Sequence, residues 1–264
     1  MWRMAKVFGA AGTHAGRQSV AAFKKMFATV LIVSVVVAFF GGGLLAALFI
    51  THSRNPISWI AGLAVIVTLL WLLTYANRKV DQHETTRMTW RKGALGEYEV
   101  GAELERLSDS YVVFNDVNTE EFGNFDHIVV GPPGIFALET KNWTGLIDTD
   151  AAGELTRNGK PSSQPHIRSL EQKVMMLREQ VAVLCRRDDL FVRGVMVFPK
   201  ASVAAPFGKT RSIHCVRIEK LRDYIDNPKF SQKLSPDRVN ELSRALNGIA
   251  GMDEQFGSRH SGSD

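Results

Sequence analysis

Cysteine is nearly missing from this 264-residue chain, which has two, Cys185 and Cys215. With so few, and with no Cys/His cluster at zinc-ligand spacing, the sequence argues against a disulfide framework and a structural zinc knuckle, and reduced thiols in a cytosolic domain are expected. Acidic residues are nearly missing from the first third. Residues 1–90 hold only Asp81 and Glu84 against nine Lys/Arg, a net of +7, whereas residues 91–264 hold 25 acidic and 23 basic residues, a net of −2. The whole-chain charge of +5 and pI near 9.3 therefore belong to the N-terminal third and do not by themselves mark a polyanion-binding surface. At 45% hydrophobic residues the chain is too apolar to be disordered and long enough to bury a core.

Charge of either sign is absent from two stretches. Met26–Ile50 (MFATVLIVSVVVAFFGGGLLAALFI) and Ile57–Asn77 (ISWIAGLAVIVTLLWLLTYAN) are uncharged, and about 20 apolar residues suffice to cross a bilayer as a helix. Trp59, Trp71 and Tyr75 sit near the ends of the second run, where amphipathic rings favour the headgroup region. The connector THSRNP is short, so residues 26–77 are expected to form an antiparallel transmembrane hairpin. Gly41, Gly42 and Gly43 are candidates for close helix packing or simply loosen the first span. Arg3, Lys6, Arg17, Lys24 and Lys25 precede the first span, and Arg78 and Lys79 follow the second. The positive-inside rule then puts both termini on the cytoplasmic side of a cell (inner or plasma) membrane, as a two-span protein contacting the lipid bilayer. A cleaved signal peptide fits poorly, because the apolar run is too long and no A-x-A-like site follows it.

Residues 1–25 thus read as a basic cytoplasmic N-terminus and 78–91 as a juxtamembrane linker or helix extension. Residues 92–250 read as a folded domain and 251–264 as a flexible tail. Within the domain, Leu95, Val100, Leu104 and Leu107 recur at helical spacing. Short strand-like runs follow at Tyr111–Asn115, Phe125–Val130 and Ile135–Thr140, the last two joined by Gly131-Pro132-Pro133-Gly134. Thr144–Asp148 and Glu154–Arg157 read as a further pair. A helix over Gln164–Cys185 leads to a strand at Val192–Phe198. A strand at Ile213–Ile218 and helices near Glu219–Ile225 and Pro236–Ile249 complete an α/β fold, a mixed β-sheet flanked by helices. The strand reached through a helical crossover should lie parallel.

The stretch GNFDHIVVGPPGIFALETKNWTG (residues 123–145) carries the chemistry. Side chains alternate along a strand, so Glu139 and Lys141 share a face, and pairing through the turn brings Asp126 across from them. Two carboxylates suit a hard divalent cation, Mg²⁺ or Mn²⁺, while a lysine nearby orients water or offsets charge on a phosphoryl transition state. The same residues also read as a turn aspartate and a solvated ion pair at a strand end. His127 points to the opposite face, as a packing or hydrogen-bonded histidine. Trp143 is a candidate for stacking on a base or for a core aromatic. Arg91-Lys92 and Arg186-Arg187 read as phosphate contacts or as solvated helix ends.

The stretch resembles the nuclease-related domain (NERD) family, whose Gly-x-x-Asp-His-x-x-x-Gly-Pro-x-Gly-x-x-x-x-Glu-x-Lys-Asn pattern is met from Gly123 through Asn142. That family is assigned to the PD-(D/E)xK nuclease superfamily. The resemblance implies a restriction-endonuclease-like core, Asp126 and Glu139 as metal ligands and Lys141 as the catalytic lysine. Lys92-Gly93-Ala94-Leu95-Gly96-Glu97 resembles the opening of the first core helix in archaeal Holliday-junction resolvases of the same superfamily, which implies that Glu97 joins the site. Pro161-Ser162-Ser163-Gln164 resembles the Pro-x-x-Gln that opens the helix after the strands, with Gln164 as an auxiliary residue. The implied function is a membrane-anchored, Mg²⁺-dependent (or Mn²⁺-dependent) nuclease acting on nucleic acid, DNA ahead of RNA. Two other readings stand beside it: a non-catalytic, membrane-tethered module of the same fold that binds nucleic acid or a partner, and a structural membrane protein assembled through its hairpin.

Overall fold

The computed structural model describes residues 4–51, 56–119, 123–187, 189–204, 213–227, 229 and 233–260. The chain divides into two compact units, one of residues 15–91 and one that takes in the chain before residue 15 and after residue 91.

The helical unit lies within two long helices, α1 (Thr13–Thr51) and α2 (Pro56–Leu104). Both contain stretches long and apolar enough to cross a membrane, Thr13–Leu44 and Gly62–Leu104. The expected spans 26–50 and 57–77 fall within these helices, and connector residues 52–55 lie outside the described residues. Large apolar side chains face outward, among them Phe39 at 75% and Ile60 at 68% exposure, the reverse of a water-soluble core. Among the described residues, a Cβ on Gly41, Gly42 or Gly43 would meet nothing within 4 Å. Residues 78–91 are helical throughout, because the polar run contains no glycine or proline to break the helix begun in the apolar segment.

The other unit is α/β. Its main sheet has the strand order β1 (Lys6–Phe8), β2 (Val112–Thr119), β3 (Gly123–Gly131), β4 (Gly134–Thr140), β8 (Val192–Phe198), β10 (Ile213–Arg217). The β2–β3 and β3–β4 pairs are antiparallel. β8 lies parallel to β4 and to β10, as expected for a strand reached through a crossover. A smaller sheet consists of β5 (Thr144–Thr149), β6 (Leu155–Arg157), β7 (Lys160–Pro161) and β9 (Lys200–Val203), in the order β7-β6-β5-β9. Helices α3 (His166–Cys185), α4 (Leu221–Ile225) and α5 (Pro236–His260) complete the unit. The expected tail from 251 is helical as far as His260.

Strands buried on both faces carry continuous apolar runs. Ile128, Val130, Ile135, Ala137, Met196 and Phe198 join one core with α3 and α5. The intervening Val129, Phe136, Leu138, Val195 and Val197 join a second core with Val100 and Leu104 of α2 and Leu221 and Ile225 of α4. The register thus alternates residue by residue between two apolar layers.

One expectation is corrected. Residues 4–14 are not merely a basic flank of the hairpin, because Lys6, Val7 and Phe8 pair in parallel with Val112, Val113 and Phe114 at the sheet edge. The Phe8 and Phe114 rings stack at 5.2 Å. Asn115 Nδ2 donates to the Gly9 carbonyl at 3.4 Å, and Asp116 Oδ2 accepts the His14 N–H at 2.6 Å. That carboxylate caps the start of α1.

Candidate active site

The site forms where β3 and β4 part. Their shared rungs run from Gly131–Gly134 at the turn to His127–Leu138 and stop there. Beyond that point β3 stays with β2, through Phe125–Val117 to Gly123–Thr119, while β4 stays with β8 as far as Thr140–Val197. The Lys141 N–H continues that ladder, donating to the Val197 carbonyl at 2.9 Å. Asp126 lies in the fork, 8% exposed, and its Oδ2 accepts the Thr140 N–H at 2.6 Å.

Glu139 and Lys141 share a face, as strand alternation requires. Lys141 Nζ donates to Glu139 Oε1 at 2.8 Å. The second Glu139 oxygen is also taken, because Lys173 Nζ of α3 donates to Oε2 at 3.2 Å and to the Asn124 carbonyl at 2.8 Å. No sequence motif pointed to Lys173. It lies beside Val174 at the border of the apolar face of α3, and its position relative to the core residues Leu170, Val174 and Leu177 was the only available clue that it faces the sheet.

Glu97 enters from α2, where it is 9% exposed. Its helix is seated by two glycines. A Cβ on Gly96 would stand 2.7 Å from Asn142 Cβ, and a Cβ on Gly101 would stand 2.7 Å from Ala11 Cβ. Asn142 uses the room to donate its Nδ2–H to the Lys92 carbonyl at 2.6 Å. The Lys-Gly-x-x-Gly-Glu and Glu-x-Lys-Asn segments, far apart in sequence, are thereby docked on each other.

The electrostatics are those of buried acids short of cations. Burial pushes Asp126 well above the usual carboxylate range, and repulsion from Glu139 and Glu97 adds to it against the Thr140 N–H and Lys141. Burial also raises Glu97, to about 7, helped by Asp116 and Glu139. Glu139 behaves oppositely: burial raises it, but the Lys141 and Lys173 ammonium groups outweigh that and hold it below its ordinary value. Burial tends to lower Lys141, yet Glu139, Asp126 and Glu97 together hold it above its usual value, so it remains an ammonium.

His127 is fully buried on the other face, with Nδ1 2.7 Å from Asn115 Oδ1. Burial drops its pKa to about 3, which makes it a neutral packing histidine. Gln164 is exposed in the turn before α3, and no side-chain hydrogen bond ties it to Asp126, Glu139 or Lys141. His166, the first residue of α3, lies nearer, with its ring 5.1 Å from that of Trp143 and its pKa lowered by burial and by Lys141. Trp143 itself packs against the core, 6.1 Å from the Phe198 ring. Arg187 is an exposed residue just after α3, paired with Asp189 at 3.6 Å.

Among the described residues no three His, Cys, Asp or Glu side chains form a ready cation cage. The donor set nevertheless suits Mg²⁺ or Mn²⁺. Asp126 and Glu139 offer hard oxygens, and such ions are commonly held by one or two carboxylates with waters and substrate phosphate completing the shell. The raised proton affinity of Asp126 and Glu97 marks a shortage of positive charge that a divalent cation would relieve.

Among known protein families, the nuclease-related domain (NERD) matches residues 92–199. No curated protein and no solved structure matches the chain.

Proposed function

With residues 92–199 a nuclease-related domain, we propose that this domain hydrolyses phosphodiester bonds in nucleic acid, DNA ahead of RNA, using a bound Mg²⁺ or Mn²⁺. Residues 15–91 tether it to a cell membrane with both termini cytoplasmic. The observation that carries the enzymatic reading is the fork itself: Asp126, Glu139 and Lys141 converge where β3 and β4 separate, with Thr140 N–H on Asp126 and Lys141 Nζ on Glu139.

Asp126 and Glu139 would hold the cation, which supplies Lewis-acid polarisation of a phosphoryl oxygen and eases deprotonation of water. Lys141 stays protonated, so it donates hydrogen bonds to the attacking water or to the charge that develops on phosphate, and it is not a general base. Glu97, buried beside Asp116 and Glu139, adds a third carboxylate whose charge a bound cation would favour. β4, paired on both sides up to the fork, fixes Glu139 on a rigid strand.

Membrane tethering is supported by two apolar helices and by connectivity. Because β1 pairs with β2, the chain entering the helical segment and the chain leaving it belong to one sheet, which requires an even number of crossings. The Lys/Arg excess on residues 3–25 and 78–79 favours the cytoplasmic side. A non-catalytic module that binds a partner other than nucleic acid is favoured by one observation, the net charge of −2 over residues 91–264, since nucleic-acid affinity usually draws on a basic surface.

The test uses the full chain in detergent micelles with single-stranded, duplex and branched DNA and with RNA. Cutting should require Mg²⁺ or Mn²⁺ and fall at least about 100-fold in Asp126→Ala and Glu139→Ala, the order of loss expected when a charge-stabilising element is removed. Binding without cutting would establish the non-catalytic module, and cutting that survives both substitutions would overturn the assignment. Reporter fusions at each terminus check the orientation independently.

A further inference from the structure

Past the His127–Leu138 rung, β3 and β4 have no main-chain hydrogen bond between them, yet each carries a carboxylate whose position relative to the other decides whether one cation can be shared. Two side-chain links stand in place of the missing rungs. One is Asp126 Oδ2 on the Thr140 N–H. The other is Lys173, whose ammonium spans from the Asn124 carbonyl at 2.8 Å to Glu139 Oε2 at 3.2 Å. Asn124 stands two residues before Asp126, on the same strand.

We propose that Lys173 is a positioning residue of the centre, a cross-strand brace that sets the separation of the strand ends carrying Asp126 and Glu139. Its consequence for cation binding rests on the nuclease reading above.

Lys173 is itself well supported. Its ammonium lies over the Phe125 ring at 5.7 Å, and its side chain is 23% exposed. Helix α3 is anchored through Leu170, Val174, Leu177 and Val181 in the core. The start of α3 is fixed by Glu154, whose two carboxylate oxygens accept the Ile167 and Arg168 N–H groups at 3.0 Å each, a strong cap for the orphan donors of a first turn. The brace thus comes from a rigid element that belongs to neither strand. Lys141 cannot do the same work: it sits on the β4 side of the fork with Glu139 and bonds the other oxygen, at 2.8 Å. A lysine offers three donors on a compact charge, and two of them account for both contacts.

A bare counter-charge would act differently. An ammonium that only neutralises Glu139 competes with a cation, and its removal tightens cation binding. A brace holds the ligands in register, and its removal loosens binding, typically by about 10- to 100-fold for residues that orient metal ligands.

The experiment titrates the full chain in micelles with Mn²⁺, reading free Mn²⁺ by electron paramagnetic resonance, for the wild type, Lys173→Met, Lys173→Gln and Lys173→Arg. Folding is monitored by hydrogen exchange of the β2 and β8 amides. The Met and Gln variants should bind Mn²⁺ about tenfold or more weakly, and Lys173→Arg, which keeps charge and donors, should recover most of the loss. Unchanged or tighter Mn²⁺ binding in either folded neutral variant overturns the brace while leaving the nuclease assignment standing. Absence of Mn²⁺ binding in the wild type overturns both.

Discussion

The β3–β4 hairpin has a turn half and an open half, and burial acts on the two in opposite ways. In the turn half, Ile128, Val129, Val130, Ile135 and Phe136 are at most 1% exposed and bonded rung by rung, so each withdraws apolar surface from water at about 25 cal/mol per Å². In the open half, the rungs cease, Asp126 is buried with Glu97 of α2 packed near it and Glu139 is partly buried, a desolvation that is unfavourable and appears as the raised proton affinity of Asp126 and Glu97. One end of a single hairpin thus supplies stability, and the other gives some of it up to keep acidic groups out of water. Local inconsistency of this kind is expected at functional sites.

The sharpest way to break the contrast is a substitution in each half. Phe136→Ala, in the second core beside Tyr224 (ring centroids 6.3 Å) and the Arg193 guanidinium (5.7 Å), should destabilise the unit by about 3–5 kcal/mol, read as lost hydrogen-exchange protection along β3 and β4. Asp126→Asn keeps an acceptor for the Thr140 N–H and removes a buried charge, so protection should stay level or rise while cutting is lost. A large loss of protection in Asp126→Asn would mean that the open half is structural after all.

A pH titration sharpens the same contrast in chelator. Glu97 has a folded pKa near 7, above its ordinary value of 4.5. Its contribution is therefore full below pH 4.5 and is lost as pH rises through about 7, by on the order of 3 kcal/mol. Glu139, held low by its lysines, works the other way, adding stability that disappears as acid protonates it. Asp126, also raised by burial, adds to the same decline, so thermal melts between pH 4 and 8 should show a neutral-side loss in the wild type that is reduced in Glu97→Gln. An unaltered slope would remove Glu97 from the cluster.

The smallest expected effect is at Gly96, where a methyl group meets Asn142 Cβ at 2.7 Å. Gly96→Ala should cost about 1–2 kcal/mol through overpacking and displace Glu97 enough to reduce cutting more than folding. Equal losses in both would show that Gly96 serves packing alone.

The turn half was readable because its residues follow local rules. Gly131-Pro132-Pro133-Gly134 marks a turn, and the apolar runs on either side match the strands to within two residues. Asp126, Glu139 and Lys141 were legible as a pattern because alternation on a strand fixes their shared face. Lys173 was not, since its partners are a main-chain carbonyl and a carboxylate on other elements, and a lysine at the edge of an amphipathic helix looks like any solvated one. β1 was missed for a related reason: Lys6–Phe8 is three residues long, shows no alternation to count, and becomes a strand only when β2 offers it an edge. Gln164 shows the converse, a motif match that the fold leaves exposed.

The pairing of β1 with β2 also bears on how the chain is made. Gly9 and Asn115, which hydrogen-bond beside that pair, are 106 residues apart, so at about 5–20 residues per second a ribosome needs roughly 5–20 s between them. During that interval the first strand to emerge has no sheet to join, and both apolar helices are synthesised before its partner exists. Synthesis of both helices therefore precedes closure of the sheet. The brevity of β1 and the lysine in it keep an orphan edge from recruiting a wrong neighbour while it waits.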